Sequence, residues 1–368
     1  MTHDATGVEQ RLATAMKQAS LRWAGSDLEV LPDSGLAHTH VRLVGHGALA
    51  RIPKQSQMDL PPEANLAYQA ACFERAGPSG HTPRLIEVLP PCEALPRGAL
   101  IVEEIVGRRA VLPHDLAALA TALARLHQLP LPAQAARAPL TSALDPMTDL
   151  LAEIEAQAAW LDAAQLEPRA RRRIDAEIDR YRTLCAQPLR APLSLISFDA
   201  HPGNFMVRAD GRAVLVDLEK CRFSHASLDL AHATLYTSTT WDAASHTALS
   251  VDEVAGAYAV WSRQIGPAAT ASSPWHLPLR RAMWLWSITW CAKWRVASRA
   301  TSPRGARGED WSSQLSAPAL IAHVRGRVDH YLSTPVVEQV LGEIDALEKA
   351  MPRTQDQDTA VMIGPHRP

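Results

Sequence analysis

The stretch SFDAHPGNF, Ser197 to Phe205, decides how this chain is read. It sets an aspartate, a histidine, a Pro-Gly corner and an asparagine between two apolar segments, Leu193 to Ser197 and Phe205 to Val207. The His-Pro-Gly bend can turn Asp199 and Asn204 to one side, and Gly203 permits the tight backbone this requires. After a turn at Ala209-Asp210-Gly211, the strand Ala213 to Asp217 brings Asp217 back toward Asn204 as a hairpin. Two carboxylates and one amide oxygen are hard ligands. They suit Mg²⁺, which completes its shell with waters and phosphate oxygens. Phosphoryl transfer needs such parts: a metal ion to neutralise the phosphates and a separate carboxylate to orient or deprotonate the attacking hydroxyl. Asp199 leads the loop and fits the base; Asn204 and Asp217 fit the metal. His201 has no second His or Cys at ligand spacing, so it is not read as a zinc ligand.

The rest of the chain is compatible with an enzyme of two lobes. Its 368 residues are enough for two sizeable cores, and 47% hydrophobic with 21% charged is globular composition. A formal charge of −2 gives no global field for nucleic acid or an acidic membrane. The arginines at 169 and 171–173 read as the solvated face of a helix. Five scattered cysteines without a CxxC pair argue against a disulfide framework or a structural zinc, and for a reducing compartment. Met1 to Ser20 lacks the apolar core of a signal peptide, and no apolar run reaches spanning length, so a cytoplasmic location is expected.

Strand signals dominate the first hundred residues. Thr39 to Val44 and Ala48 to Ile52 flank Gly45-His46-Gly47 as a hairpin, and Arg84 to Val88 and Ala99 to Glu104 follow. Between them a helix opens after Asp59-Leu-Pro-Pro-Glu63, capped by Asp59 or a neighbour, and ends at Gly77-Pro78. From Gly107 onward helical periodicity takes over, at 114–129, 149–164, 171–184 and from Ser227 to about Ala350, broken only by the island around the quoted loop. The expected organisation is an N-lobe over 1–106, a helical C-lobe over 107–350 and a disordered tail over 351–368.

Three pieces in this order, DAHPGN (199–204), VLVDLE (214–219) and LDLAH (228–232), resemble the aminoglycoside phosphotransferase and choline kinase family. The resemblance implies an α+β, bilobal protein-kinase-like fold with a small β-rich N-lobe and a larger helical C-lobe. It implies ATP or GTP with Mg²⁺, Asp199 as catalytic base, and Asn204 and Asp217 as metal ligands. Glu219 lies beside the metal in similar enzymes, and Asp229 looks like the aspartate that ties the catalytic loop to the helical core. SGLAHTHVRL (34–43) resembles the hairpin over the nucleotide, with Ser34, Gly35 and His38 near the phosphates. ALARIP (48–53) resembles the strand whose cation contacts the α/β-phosphates, which assigns Arg51, with Lys54 as rival. Glu63 then matches the carboxylate that pairs with that cation, with Glu74 as rival. LIVEEIVGRR (100–109) resembles the hinge, where backbone groups near Glu103 and Ile105 hold adenine. The family usually begins its loop with His-Gly-Asp; this chain has Ser197-Phe198-Asp199.

Five of the ten tryptophans fall between Trp275 and Trp294, and Trp286, Trp290 and Trp294 share a helix face. Core packing is the plain reading. The sharper one is an acceptor pocket, because aromatic faces attract protonated or quaternary amines. Trp241 and Asp242, after the LDLAH helix, join the pocket candidates by position. His127 reads as a packing residue at a helix end. The expected function is a kinase that moves a γ-phosphoryl group to a hydroxyl of a small, possibly amine-containing acceptor. The alternatives are a nucleotide-binding module with little turnover and a nucleotidyl transferase on the same fold.

Overall fold

Apolar alternation along five short strands builds the first layer. In this computed structural model, which describes residues 5–32, 37–242, 246–299 and 316–351, the strands β1 (Leu28–Val30), β2 (His38–Leu43), β3 (Ala48–Pro53), β4 (Leu85–Leu89) and β5 (Ala99–Glu103) form one antiparallel sheet in the order β1-β2-β3-β5-β4. Gly45 and Gly47, at φ +79° and +58°, turn β2 into β3 at the expected hairpin. The helix α1 (Ala5–Gln18) lays Leu12 and Met16 on one sheet face, against Val41, Leu43, Ala50 and Ile101. The helix α2 (Pro62–Ala76) packs Leu66 and Phe73 on the other, against Leu100 and Val102. The strand β5, between β3 and β4, is thus buried on both faces, which is why ALIV is an unbroken apolar run. Asp59 does not cap α2. Its φ is +54°, and Pro61 is the N-cap without a side-chain bond.

The second layer is helical: α3 (Leu116–His127), α4 (Pro146–Ala158), α5 (Pro168–Cys185), α6 (Ala226–Thr234), α7 (Tyr236–Thr239), α8 (Val251–Ile265), α9 (Ala269–Ser272), α10 (His276–Ala297), α11 (Pro318–Tyr331) and α12 (Thr334–Ala350). Asp145 caps α4, and Ser250 with Glu253 forms a capping box on α8. The long α10 is surrounded by α4, α5, α6, α11 and α12, so Leu279, Met283, Trp284 and Ile288 are fully buried and its apolar positions run round the helix. Of the basic cluster on α5, Arg169 meets Glu338, and Arg171 meets Asp162 and Asp175.

Small strands frame the quoted loop. β8 (Phe205–Val207) pairs with β9 (Ala213–Leu215) as the expected hairpin, and also with β6 (Arg108–Arg109) just after the first layer. The segment before the loop, β7 (Ser194–Ile196), pairs instead with β10 (Arg222–Ser224), a strand the sequence reading passed over. Three residues are too few to show an alternation. The expected tail beyond Met351 lies outside the described residues, as do Ser34 and Gly35.

Candidate active site

A buried carboxylate holds the start of the loop. Asp229 on α6 is fully buried and accepts the Ser197 amide at 2.7 Å and the Phe198 amide at 2.8 Å. His127, at the end of α3, approaches the same carboxylate through Nε2 at 3.1 Å. Trp261 Nε1 donates to His127 Nδ1 at 2.9 Å, so Nε2 carries the proton and donates to Asp229. His127 is therefore buried as expected of a packing residue, and is also a hydrogen-bond link. Ser197 Oγ accepts the Asp199 amide at 3.0 Å.

Phe198 sits at φ +58°, a left-handed conformation that costs a non-glycine residue about 1–2 kcal/mol. Its ring is buried, meets Trp286 edge-on at 5.0 Å between centroids, and carries the Arg222 guanidinium 3.7 Å above it. Burying a phenylalanine contributes about 1.5–3 kcal/mol, enough to offset the strain. The positive φ also gives the glycine of the His-Gly-Asp pattern its physical reason.

Asp199 projects into a pocket of cations and neutral imidazoles. Its Oδ2 is 2.9 Å from Lys220 Nζ, and its Oδ1 is 3.9 Å from His232 Nδ1. Burial works against its charge, but Lys220, with His201 and His232, holds the carboxyl below its ordinary range. Burial lowers His232 to about 4 and also lowers His201, so Lys220 supplies the positive charge at neutral pH. Asn204 Nδ2 donates to the Asp199 carbonyl at 2.9 Å, so Oδ1 is the atom that could bind a metal, and Val216 N donates to Asn204 O at 2.9 Å. The hairpin thus brings Asn204 beside the Val216–Asp217 turn. A side chain at Gly203 would stand 2.9 Å from Asp242 Oδ2 and from His201 Cε1 and would have to push these two side chains aside. Asp242, held by Arg109 at 2.8 Å, therefore lies directly against the loop.

The first layer meets this loop through Arg51. Its guanidinium donates to Asp217 Oδ1 at 2.7 Å and to Val216 O at 2.9 Å. Burial would raise the Asp217 carboxyl, but Arg51 keeps it well below the usual carboxylate range. The expected pairing of Arg51 with Glu63 is absent: Glu63 is exposed on the first turn of α2, and Asp217 is the carboxylate that meets Arg51. The α2 residue that reaches inward is Gln69, with Oε1 3.0 Å from His38 Nε2 and Nε2 3.5 Å from Glu219 Oε2. His38 and Glu219 are buried. Burial lowers the histidine to about 4, and burial with the neighbouring Asp217 pushes Glu219 up to about 8. Glu219 lies against His38 of β2 and Gln69 of α2, two residues beyond Asp217.

At the expected hinge, the Glu103 amide donates to Arg84 O at 2.9 Å and its carboxylate binds Arg208 at 2.6 Å. Ile105 follows the end of β5, half-buried. Trp286 reaches the loop through Phe198, lies under Lys220 Nζ at 5.9 Å, and donates Nε1 to Glu153. Trp241 stacks on Tyr331 at 6.2 Å and meets Trp290 edge-on at 5.9 Å. Both Trp241 and Trp290 remain half-buried, whereas Trp284 and Trp294 are core.

Sequence reasoning missed Lys220 and Gln69. Lys220 directly follows the quoted VLVDLE, and Gln69 is a polar residue on the Leu66–Phe73 face, a signal that was available.

The sequence profile of the phosphotransferase enzyme family matches residues 31–263, and the chain belongs to that family. It is a phosphotransferase of the class that acts on hydroxyl groups. Among curated proteins no sequence matches significantly. Solved structures share the protein-kinase-like fold at low identity. A choline/ethanolamine kinase family protein from Mesorhizobium loti superposes with TM-score 0.56 at 18% identity, over 92% of this chain and 99% of that one. An ethanolamine kinase of Plasmodium vivax gives 0.59 at 10%, over 92% and 91%. The GDP complex of aminoglycoside 2'-phosphotransferase-IIIa gives 0.56 at 14%, over 89% and 99%. Among the described residues no helix is long and apolar enough to cross a membrane.

Proposed function

We propose that the protein transfers the γ-phosphoryl group of ATP or GTP to a hydroxyl of a small acceptor, with Asp199 as the base. The observation that carries this reading is the half-buried Lys220–Asp199 pair, 2.9 Å long, at the head of a loop whose backbone is fixed by Asp229. A carboxylate kept ionised is a weak base. It suits a loose transition state, in which the acceptor proton leaves late and positioning matters most. Asp199 orients the hydroxyl and takes its proton, while Lys220 offsets the negative charge that gathers there.

Asn204 Oδ1 and Asp217 offer hard oxygens, a donor set that fits Mg²⁺. When bound, the ion would neutralise phosphate charge. Arg51 turns from Asp217 to the α/β-phosphates, and His38 lies beside them. With the Glu103 amide already bonded, Ile105 is the stronger candidate for the adenine edge. Asp242 beside Gly203, the Trp286 ring on the loop and the half-buried Trp241 and Trp290 support an amine-containing acceptor: carboxylate and aromatic faces both favour a cation. The likeness to an ethanolamine kinase and to aminoglycoside phosphotransferases points the same way.

Thermal shift with ATP or GTP, each with and without Mg²⁺, tests the reading in wild type and Asp217→Ala. A ligand at 100 times its Kd stabilises the fold by about 2.7 kcal/mol. A Mg²⁺-dependent shift in the wild type that Asp217→Ala loses is the expected result. No shift with either nucleotide overturns the reading.

A further inference from the structure

The two oxygens of Asp199 are treated differently. Lys220 Nζ donates to Oδ2 at 2.9 Å, whereas Oδ1 accepts no hydrogen bond among the described residues. Facing Oδ1 from α6 is His232, with Nδ1 3.9 Å away. That nitrogen is buried and has no hydrogen-bond partner. Its position follows from the helix: His232 stands three residues after Asp229, hence on the same face, so the residue that holds the loop backbone and the residue that faces the loop carboxylate come together. The ring is neutral, because burial lowers it to about 4. A lone pair turned on an ionised carboxylate would be repelled, so the proton sits on Nδ1 and points at Asp199. His201 is no rival for this oxygen. Its Nδ1 lies against Gly203, 3.1 Å from where a β-carbon there would stand.

A carboxylate held by one donor still turns about its Cβ–Cγ bond. Donors on both oxygens fix its plane and leave a lone pair on each for a hydroxyl. We propose that His232 is a positioning residue for Asp199: on nucleotide binding the 3.9 Å gap closes by about 1 Å to a hydrogen bond from Nδ1 to Oδ1, and Lys220 and His232 together set the plane in which the base meets the acceptor. This rests on the kinase reading of Asp199. Hydrogen bonds of catalytic groups are often long before the reactants assemble and tighten as they do. A buried N–H without an acceptor costs about 1–3 kcal/mol, which favours the closure. A neutral donor also adds direction with less loss of basicity than a second cation would bring.

Side-chain NMR of the full chain labelled with ¹⁵N-histidine, with and without Mg²⁺ and a non-hydrolysable ATP or GTP analogue, reads both the tautomer and the bond. His232→Gln identifies the resonance. The expected result is a neutral Nδ1–H ring whose proton moves downfield when an analogue binds, a movement lost in Asp199→Ala. A packing role alone would leave the resonance in place. If either variant fails to fold, through-bond assignment of His232 in the wild type decides alone. An Nε2–H tautomer overturns the positioning role and leaves the kinase reading standing. So does an Nδ1 proton that stays in place although an analogue raises the melting temperature. Failure to bind either analogue overturns both.

Discussion

The two carboxylates at the centre of the site are held in different ways. Asp217 is gripped by a side chain from the other lobe, Arg51, 166 residues away in sequence. The loop that presents Asp199 is gripped through its own backbone, by two amides on Asp229 some 31 or 32 residues onward. On the proposed reading Arg51 faces the nucleotide, and an arginine on a long stem can exchange one anion for another, so this nucleotide side is built to change partners. Backbone amides on a fully buried carboxylate meet no competing ligand, so the Asp199 loop, the proposed base side, is set before any substrate arrives.

Conservative and severe substitutions on the two sides should separate these roles. Asp229→Ala leaves two amides and the His127 N–H unpaired in the core and should cost about 3–5 kcal/mol, read by urea unfolding. Arg51→Lys keeps a charge beside Asp217 and should change stability by less than about 1 kcal/mol, while weakening nucleotide binding. Equal losses from the two would refute the distinction.

Phe198→Gly tests the base side more finely. It relieves the left-handed strain but removes a buried ring, and a deleted aromatic side chain costs about 3–5 kcal/mol. A net loss of roughly 2 kcal/mol is expected. A gain in stability would mean that strain, and not packing, dominates the loop.

The smallest effect is a slope. His38 on the nucleotide side and His232 on the base side are both lowered by burial to about 4. Between pH 6.5 and 4 the unfolded chain takes up a proton at each and the folded chain does not. Stability is therefore full above pH 6.5 and is lost as pH falls toward 4. Each contributes up to about 1.4 kcal/mol per pH unit. His38→Gln and His232→Gln should each flatten unfolding-midpoint curves over this range. A variant curve as steep as the wild type would show that its histidine is charged in the fold.

Much of this was legible in sequence for a definite reason. The spacing of Asp199, Asn204 and Asp217 encodes a hairpin, and local chain geometry suffices to gather them. The strands and helices followed their periodicity, except where an element was as short as Arg222 to Ser224. Glu63 misled because a helix presents several polar residues, and which one faces inward depends on how α2 rotates against β5. At the loop departure Ser197-Phe198 the bulky ring has its own place, packed on Trp286 and Arg222, which no local pattern records.

The sequence alone determined the family, the two-layer plan and the hairpin that gathers Asp199, Asn204 and Asp217, since those rest on residues close together in the chain. Only the tertiary structure decided that Asp217 is the partner of Arg51, that Lys220 is the cation paired with Asp199, that Gln69 rather than Glu63 reaches inward from α2, and that Glu219 sits beside His38. Those choices depend on burial and on charges brought together from distant parts of the chain, where desolvation makes each buried group seek a partner that no local pattern records.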